Sequence, residues 1–344
     1  MRIRTIWKWQ VSIHVSRRAD LLICSALKNN LGSWINKKAN FVFSRNLIQK
    51  LIQSGNVIVN KQQIKTNSKL IQGQWIQIEF PEPEELNLIP THIPLEIIYE
   101  DAHLLVVNKP PGLTVHPAPT QKENTLVHAL LFHIKDLSDI GGKLRPGIVH
   151  RLDKFTSGAL VAAKTNLAHQ KLIEAFSERR VLKTYLALCY GSPKLMSFKL
   201  ESLIGRNPLD RKKMIIHIKR GRKAISFIEK SEEYWLEKSP FAALLKVRIE
   251  TGRQHQIRVQ LTGAGHSILG DPVYGVPTQK QNKWISLPDV IKDLVKALPG
   301  QALHAQELCF QHPITGVDMK FVANPPQEFS NLLKALQRWK VYNA

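Results

Sequence analysis

The segment 147–165, GIVHRLDKFTSGALVAAKT, places a carboxylate between two apolar runs, with His150, Arg151 and Asp153 close together. An acid in a turn between buried strands is held by a rigid scaffold, which is where catalytic groups tend to lie. Aspartate more commonly caps such turns, and His150 could equally be a structural histidine. Residue types and spacing alone leave both interpretations open.

Short apolar runs around this segment predict the strands of a substantial sheet, because several of them carry β-branched residues. The runs cover 103–107, 159–163, 184–189 and 244–249. Residues 166–180 predict a helix, with Ala168, Leu172 and Phe176 on one stripe. The carboxylate would therefore lie in a turn next to the strands of this sheet.

Residues 44–60, SRNLIQKLIQSGNVIVN, predict a smaller unit of helix, turn and strand. Ser44 can cap the helix, Gly55 supplies a left-handed stop, and 57–59 and 75–80 predict strands. The polar side chains on its surface that could lie along a phosphate backbone are Ser44, Arg45, Lys50 and Lys61. The same pattern also fits an ordinary α+β unit with a solvated basic face.

The stretch 81–94, PEPEELNLIPTHIP, contains four prolines and three glutamates. Proline removes amide donors and fixes φ, so this stretch predicts an extended linker at a domain boundary.

The chain has 344 residues, of which 43% are hydrophobic and 22% charged, as in a globular protein. Its 49 Lys and Arg against 27 Asp and Glu give a net charge of +22, which indicates a polyanionic partner, either nucleic acid or an anionic membrane. No apolar run approaches the roughly 18 to 20 residues of a spanning helix, so we expect that the protein is not an integral membrane protein.

Cysteine usage and the N-terminus bear on the compartment. The three cysteines lie far apart, which predicts neither a disulfide framework nor a zinc site and suits a reducing cytosol. Residues 1–18 are basic, contain no acid and lack the features of a secretory signal. We expect a cytoplasmic protein with a flexible basic arm, or an organellar one if these residues are a transit peptide.

The segment HRLDKFTSG, residues 150–158, is similar to the HRLDxxTSG signature of the RluA/RluD-type pseudouridine synthases. Further segments resemble family motifs in the same order: 108–117 (NKPxGxxxHP), 183–185 (KxY), 251–258 (TGRxHQIR), 270–275 (GDPVYG), 303–305 (LHA) and 312–313 (HP). The resemblance covers about 95–325. It implies an α+β fold, with a mixed, mostly antiparallel sheet beside a basic cleft.

The resemblance also implies the activity, isomerisation of uridine to pseudouridine in RNA, with no cofactor and no metal. Asp153 would be the catalytic carboxylate, acting at C1′, at C6 or on the C2′ proton, and these routes remain open. Arg151 would fill the vacated base stack, with His150 also on the RNA side, and Tyr185 would stack on the extruded uracil.

Because burial alone would neutralise Asp153, a cation must lie beside it. In the family an arginine of the TGRxHQIR strand pairs with this aspartate. Arg258 is the first choice and Arg253 the second, since residues five apart on a strand face opposite sides. Either arginine could instead contact a phosphate in a basic cleft.

Residues 206–223 carry eight Lys or Arg against one acid, Asp210, and resemble the RKKM-to-GRKA stretch of the family. Arg211, Lys212 and Lys213 would then clamp RNA phosphates. The alternative is a basic loop that is merely solvated.

Residues 17–80 resemble an S4 RNA-binding domain through SRxxxxxLIxxGxVxVN, with Arg45 and Lys50 on the RNA side. Lys61 and Gln74 depart from the glycine and aspartate usual there. The expected domain order is a basic arm at 1–16, the S4-like module at 17–80, the linker at 81–94, the catalytic domain at 95–330 and a tail at 331–344.

Two residues of the catalytic segment depart from the family pattern. Phe155 replaces an acid and Gln260 a histidine, which puts in doubt the RNA site served rather than the chemistry. The S4-like module joined to this catalytic segment resembles the branch that modifies large-subunit ribosomal RNA, and we expect a monomer.

Two other functions fit parts of the sequence. A catalytically idle RNA-binding protein would keep the fold, but the intact Asp153, Tyr185 and Arg258 favour an enzyme. A metal-dependent hydrolase or nuclease would need clustered ligands. The spacing of His150, His255, His266 and His304 shows no such pattern.

Overall fold

The computed structural model divides the chain into two compact units, Met1–Glu85 and Leu86–Ala344. It describes residues 5–12, 17–29, 31–35, 45–80, 88–118, 121–134, 137, 146–210, 213–275 and 282–340. The division falls within the predicted proline-rich linker, of which 81–87 lie outside the described residues. Among the described residues, no helix combines the length and apolar character needed to cross a membrane.

The first unit is a small sheet with two helices. Its strands are β1 (Thr5–Gln10), β2 (Arg17–Arg18), β3 (Ser33–Ile35), β4 (Val57–Val59), β5 (Gln62–Gln63), β6 (Lys69–Leu70) and β7 (Trp75–Phe80). Helices α1 (Ala19–Lys28) and α2 (Arg45–Gln53) accompany them. The sheet order is β3-β1-β7-β4-β5, and β2 pairs with β6. The predicted cap, Ser44, lies outside the described residues.

Strand β1 lies where the sequence predicts a flexible arm, at 1–16. Trp7, Trp9 and Val11 are buried in the core of this unit, while Lys8 and Gln10 point the other way. The strand pairs with β3 and β7, so the packed unit begins well before residue 17. Apolar and polar residues alternate from Trp7 to Val11, as in a half-buried strand. The prediction of a flexible arm rested on the basic charge of the segment and overlooked this alternation.

The second unit contains one large sheet. Its strands are β8 (Glu96–Glu100), β9 (Leu104–Lys109), β10 (Ser157–Ala163), β11 (Leu182–Tyr190), β12 (Ser197–Arg206), β13 (Met214–His217), β14 (Arg222–Leu236), β15 (Ser239–Ile249), β16 (Leu303–Gln311) and β17 (Asp318–Val322). The order is β13-β12-β14-β15-β11-β16-β10-β9-β8, with β17 on β16. Among the described strands only β10 and β16 pair in parallel, so the expected mixed, mostly antiparallel sheet is confirmed.

The helices of the second unit are α3 (Leu126–His133), α4 (Asn166–Ser177), α5 (Gln256–Gly263), α6 (Asn282–Ile285), α7 (Asp289–Ala297) and α8 (Gln327–Leu336), followed by a 3₁₀ turn at Gln337–Trp339. The predicted boundary at 330 falls inside α8. Leu332 and Leu336 are buried in the main core, so the segment expected as a tail packs as part of this unit.

The centre of the sheet is buried on both faces, because alternate residues of its strands enter two different cores. From β10, Leu160 and Ala162 join the larger core, while Val161 and Ala163 pack with Leu172 of α4. Every residue of β10 is buried. The loop that carries Asp153 leads directly into this fully buried strand.

Gly158 allows β10 to approach β16 closely. Its φ is 115°, and a Cβ at this position would lie 2.2 Å from the carbonyl oxygen of Ala305. Beside it, a hydrogen bond of 2.9 Å joins Ser157 Oγ and His304 Nδ1. The glycine therefore permits the one parallel pairing seen among the described strands, at the point where the Asp153 loop meets the sheet.

Residues 256–263 form helix α5, so the expectation that TGRxHQIR is a strand was wrong. Ile257, Val259 and Leu261 alternate with Gln256, Arg258 and Gln260, which imitates a strand. All six are buried, so the alternation does not separate a core face from a solvent face. The helix begins after His255, whose φ of 56° is left-handed.

Candidate active site

Asp153 lies in the loop that precedes β10. The amide of Thr156 donates to the Asp153 carbonyl over 3.1 Å, closing a turn. Gln301 Nε2 donates to Thr156 Oγ1 over 3.0 Å, which ties the loop to the segment before β16. The Asp153 side chain is 18% exposed, so the carboxylate lies near the surface of a well-supported loop.

Arg258, in the first turns of α5, holds two carboxylates with one guanidinium. Its Nε and Nη2 donate to the two oxygens of Asp271 over 2.7 and 2.9 Å. Its Nη1 donates to Asp153 Oδ2 over 3.0 Å. The bidentate contact fixes the plane of the guanidinium, and the remaining nitrogen is thereby aimed at Asp153.

Asp271 is the buried member of this trio, with a side chain that is 0% exposed. Burial acts to raise the pKa of Asp271, but the bonds and charge of Arg258, together with the amides of Tyr274 and Val273, hold it below its usual range. Burial likewise acts to lower the pKa of Arg258, and the two carboxylates raise it above its usual range. Asp271 therefore stays ionised and keeps Arg258 charged beside Asp153.

His255 and Tyr274 border the same carboxylate. His255 Nε2 lies 4.0 Å from Asp153 Oδ1, and its Nδ1 lies 2.8 Å from the Tyr274 hydroxyl. The ring of Tyr274 has its centroid 5.0 Å from Arg258 Cζ. Burial lowers the pKa of His255 despite the negative charge of Asp153, so the ring is neutral at neutral pH.

Two glutamines fasten α5 to the sheet. Gln256 Oε1 accepts from Thr251 Oγ1 and from the Arg253 amide, while its Nε2 donates to Ile225 O and Ser226 Oγ. Gln260 Nε2 donates to Ser202 Oγ over 3.0 Å, and its Oε1 accepts from Ser226 Oγ. Gln260, a departure from the family pattern, thus anchors the helix that carries Arg258.

A cavity of about 110 Å³ adjoins Asp153 and is lined in part by Tyr185, Leu303 and Arg258. Tyr185 is 7% exposed, and its hydroxyl makes no hydrogen bond within the described part of the chain. Burial, and secondly the charge of Asp153, raises the pKa of Tyr185. The cavity is larger than a single water molecule requires, and one of its walls is a phenol that stays neutral.

The match to known proteins is broad. Residues 103–262 match the family model described as RNA pseudouridylate synthase. A protein of Aquifex aeolicus, named an uncharacterized RNA pseudouridine synthase, is 43% identical over 301 residues, which are 86% of this chain and 90% of that protein. A Zymomonas mobilis protein named ribosomal large subunit pseudouridine synthase D is 40% identical over 297 residues, 85% of this chain and 89% of that one. The chain belongs to the RNA pseudouridine synthase family.

Members of this family are isomerases that convert uridine to pseudouridine. Among solved structures, human RNA Pseudouridylate Synthase Domain Containing 4 is similar to this synthase, with a TM-score of 0.51 and 26% identity. The alignment covers 70% of this chain and 93% of the human one.

Of the other residues predicted for RNA contact, some line the cavity beside Asp153 and some do not. Arg151 and Arg253 line the cavity beside Asp153. Arg253, the second choice as a partner of the carboxylate, donates its Nε to Lys223 O over 3.0 Å instead. Lys213 lies away from the cavity, with its Nζ 4.0 Å from Asp210. Arg211 and Lys212 lie outside the described residues.

His150 does not line the cavity. Its Nε2 accepts a hydrogen bond of 3.0 Å from the Val161 amide, and its ring stacks on Phe176 with centroids 4.6 Å apart. Burial, and secondly the charge of Lys183, lowers the pKa of His150 to about 3. These contacts support the alternative that His150 is a structural histidine, which the sequence left open.

Arg45 and Lys50 of α2 differ in their surroundings. Arg45 Nε donates to Asp20 over 2.8 Å, and Arg18 and Gln49 donate to the same buried carboxylate. Lys50 is exposed and makes no ion pair within the described ranges. Arg45 thus joins α2 to α1, whereas the ammonium of Lys50 faces solvent.

Lys109 received no role from its motif, although it is fully buried. Its Nζ donates to the carbonyls of Pro110, Leu113 and Lys154 over 2.8, 2.9 and 3.1 Å. Burial lowers the pKa of Lys109 to about 7, against the attraction of Asp153. Asp271 was likewise part of a matched motif without a role. For both residues, a charged side chain within an otherwise apolar or glycine-rich motif was the sequence feature that could have indicated a functional role.

The histidines considered as metal ligands have separate surroundings. His255 contacts Tyr274, His266 Nδ1 lies 3.3 Å from Tyr190 O, and His304 contacts Ser157. Over the described ranges, no three His, Cys, Asp or Glu side chains are grouped as a metal site.

Proposed function

We propose that this synthase isomerises uridine in large-subunit ribosomal RNA, with Asp153 as the catalytic carboxylate. The observation that carries the proposal is the contact between Arg258 Nη1 and Asp153 at the edge of a cavity beside Tyr185. The contact holds the carboxylate in a fixed direction at the cavity, which attack on carbon or removal of a proton requires. The relative from Zymomonas mobilis, named for the large ribosomal subunit, supports the RNA class.

The target uridine must leave its stack before Asp153 can reach it, at a cost of a few kcal/mol. Arg151 is exposed beside the cavity, where its planar guanidinium can fill the vacated position. Tyr185 offers its ring to the extruded uracil, and base–aromatic contacts contribute about 1–3 kcal/mol. Together these two side chains would offset the cost of extrusion.

The reaction then needs no external group. The C1′–N1 bond breaks, the uracil turns within the cavity, and a C1′–C5 bond forms. The proton lost from C5 is balanced by a proton gained at N1, so the product is an isomer of uridine. Asp153 would act at C1′, at C6 or on the C2′ proton. In each case the fixed guanidinium of Arg258 sets the direction of the carboxylate.

The first unit would serve as an S4-like module that docks RNA. The exposed ammonium of Lys50 and the net charge of +22 of the whole chain support this role. Arg45, which is held by Asp20, would orient the helix more than it contacts phosphate.

The substrate is tested by mapping pseudouridine in total RNA from cells with and without this protein. We expect sites to be missing in large-subunit ribosomal RNA when the protein is absent. Loss confined to transfer RNA would overturn the substrate class while leaving the chemistry intact.

The catalytic assignment is tested with Asp153→Asn, because asparagine keeps the size and turn-capping ability of aspartate and removes its charge. We expect no detectable tritium release from 5-tritiated uridine RNA, with thermal melting and RNA binding unchanged. Turnover near the wild-type rate in a normally folded variant would refute the role of Asp153. An inactive wild type that still binds RNA would favour the catalytically idle alternative.

A further inference from the structure

Among the residues that the structure describes, the sheet of the first unit has one covered face and one open face. Residues of β1 and β7 alternate between them, since neighbouring side chains on a strand point to opposite sides. Trp7, Trp9, Ile76 and Ile78 are buried on the covered face. The open face carries the residues between them, which pair in register as Lys8 with Gln77 and Gln10 with Trp75.

Trp75 is the large apolar group of this open face. It is 55% exposed, and its indole makes neither a hydrogen bond nor a ring contact within the described residues. Its backbone is fixed, because the amide donates to Asn60 Oδ1 over 2.9 Å and the carbonyl accepts from the Asn60 amide over 2.9 Å. A rigidly mounted, solvent-facing indole offers a large flat surface at little cost in conformational entropy.

Polar and basic groups surround the indole. A shallow cavity of about 450 Å³ is lined by Lys8, Ile58, Asn60, Lys61, Trp75 and Gln77. Neither Lys8 nor Lys61 forms an ion pair within the part of the chain that the structure describes. The amide nitrogens of Asn60 and Gln77 also make no hydrogen bond there. Within the described ranges, two cations without an acidic partner and two amide donors without an acceptor therefore surround one exposed aromatic side chain.

This combination matches the chemistry of single-stranded nucleic acid. Such binders combine basic grooves, which follow the phosphates, with aromatic rings on which bases stack. The amides of Asn60 and Gln77 suit the oxygen and nitrogen edges of a base. A membrane surface would be served better by several apolar groups than by one ring among amides.

We propose that the open face around Trp75 binds an unpaired stretch of RNA, one base stacking on the indole and the adjoining phosphates lying against Lys8 and Lys61. The inference rests on the proposed RNA substrate and extends it, since this surface belongs to the first unit and contains none of the residues that border Asp153. It would hold a single-stranded segment of the same RNA that the second unit modifies.

The full-length protein is tested with a fluorescently labelled eight-residue oligouridylate. Trp75→Leu keeps apolar area but removes the ring, and we expect it to weaken binding about tenfold. Trp75→Phe should retain most of the affinity. Leu21→Ala, a change at an exposed apolar residue of α1, is the matched control and should bind like wild type. Equal affinity of wild type and Trp75→Leu overturns the proposal.

A second variant keeps the test decisive if Trp75→Leu alters folding, as judged by its melting curve. Lys8→Gln should lower the slope of log affinity against log salt by about 0.7. An unchanged slope overturns the phosphate contact. Binding of vesicles containing phosphatidylserine that is lost in Trp75→Leu, with oligouridylate binding intact, would assign the face to a membrane instead.

Failure of this inference is distinguishable from failure of the proposed function. Tritium release from a structured ribosomal RNA fragment is measured on the same proteins. We expect Trp75→Leu to raise KM and leave kcat unchanged. A wild type without tritium release refutes the isomerase proposal, whereas the oligouridylate series decides the binding face independently.

Discussion

The guanidinium of Arg258 shows why arginine rather than lysine suits its position. The bidentate contact with Asp271 uses Nε and Nη2, and Nη1 remains for Asp153. A lysine offers one flexible nitrogen and cannot hold two carboxylates in a fixed plane. The direction of the Asp153 carboxylate therefore depends on Asp271, the buried residue that fixes Arg258.

Asp271→Asn should lower both stability and turnover. It leaves the buried Arg258 without its full counter-charge, and breaking such a pair costs roughly 3–5 kcal/mol. Urea unfolding measures the loss, and tritium release should fall more than RNA affinity does. Asp289→Asn, which removes a 94% exposed partner of Lys292, is the control and should change stability by less than about 0.5 kcal/mol. Equal effects of the two substitutions would contradict a special role for Asp271.

Two substitutions at Tyr185 can separate the contribution of its ring to turnover from that of its hydroxyl. Because the hydroxyl makes no hydrogen bond in the described structure, Tyr185→Phe should keep most turnover. Tyr185→Ala removes the stacking surface and should cost about 1–3 kcal/mol in transition-state stabilisation. Single-turnover kinetics on one substrate compares them. Similar losses in both variants would indicate that the phenol oxygen takes part, for example in proton transfer.

Lys109 should make the stability of the protein depend on pH. Its pKa is about 7 in the folded protein and 10.5 ordinarily, so between these values the unfolded chain binds the additional proton. Stability then rises with pH in this window, by at most about 1.4 kcal/mol per pH unit. Lys109→Met lacks this contribution, so from pH 7 to 9.5 wild type should gain stability relative to the variant. Parallel urea midpoints at both pH values would exclude a lowered pKa.

At the scale of elements, the site depends on where β10 and α5 begin. The Asp153 loop enters β10 beside β16, and Gly158 permits their close pairing. Helix α5 starts at the left-handed His255 and is fastened by Gln256 and Gln260. Asp153 and Arg258 are thus brought together because the loop before β10 and the first turn of α5 meet.

Gly158→Ala should destabilise the second unit by roughly 3 kcal/mol, since the new Cβ would meet the backbone of Ala305 and the φ of 115° is unfavourable for alanine. Gly265→Ala is a matched control, because its φ is +85° but no atom lies within 4 Å of the added Cβ. It should cost only about 1–2 kcal/mol. Thermal melting compares the two, and equal losses would mean that the close approach of β16 is unimportant.

At the scale of the whole molecule, the chain consists of two units with separate cores. Trp7, Ile23, Ile48 and Ile78 belong to the core of the first unit, and the core clusters of the second contain none of its residues. Each unit therefore buries its own apolar surface, which is the condition for independent folding.

Deleting residues 1–85 should leave a cooperatively melting second unit and weaken RNA binding. The log–log salt slope should fall by about 0.7 to 0.9 for every phosphate that the first unit neutralises in the full-length protein. Binding titrations at several salt concentrations measure this, with circular dichroism as the check on folding. An unchanged affinity and slope would remove the RNA-docking role of the first unit.

The sequence by itself determined the family, the catalytic candidate and much of the secondary structure. The motif around Asp153 is contiguous, and its resemblance needs no knowledge of packing. The strands predicted at 159–163 and 184–189 lie within β10 and β11, and the predicted helix at 166–180 contains α4. Short runs of apolar residues and a helical apolar stripe are local signals, so they can be recognised in the sequence without knowledge of the fold.

Only the tertiary structure decided which charges meet. Arg258 lies 105 residues from Asp153 and 13 from Asp271, and no local pattern specifies that one guanidinium bonds both. The same limit explains α5. Residues 256–261 are all buried, so their polar members do not mark a solvent-facing side of a helix or strand. They are polar because they form hydrogen bonds with residues distant in sequence, and those partners come within reach only in the folded chain.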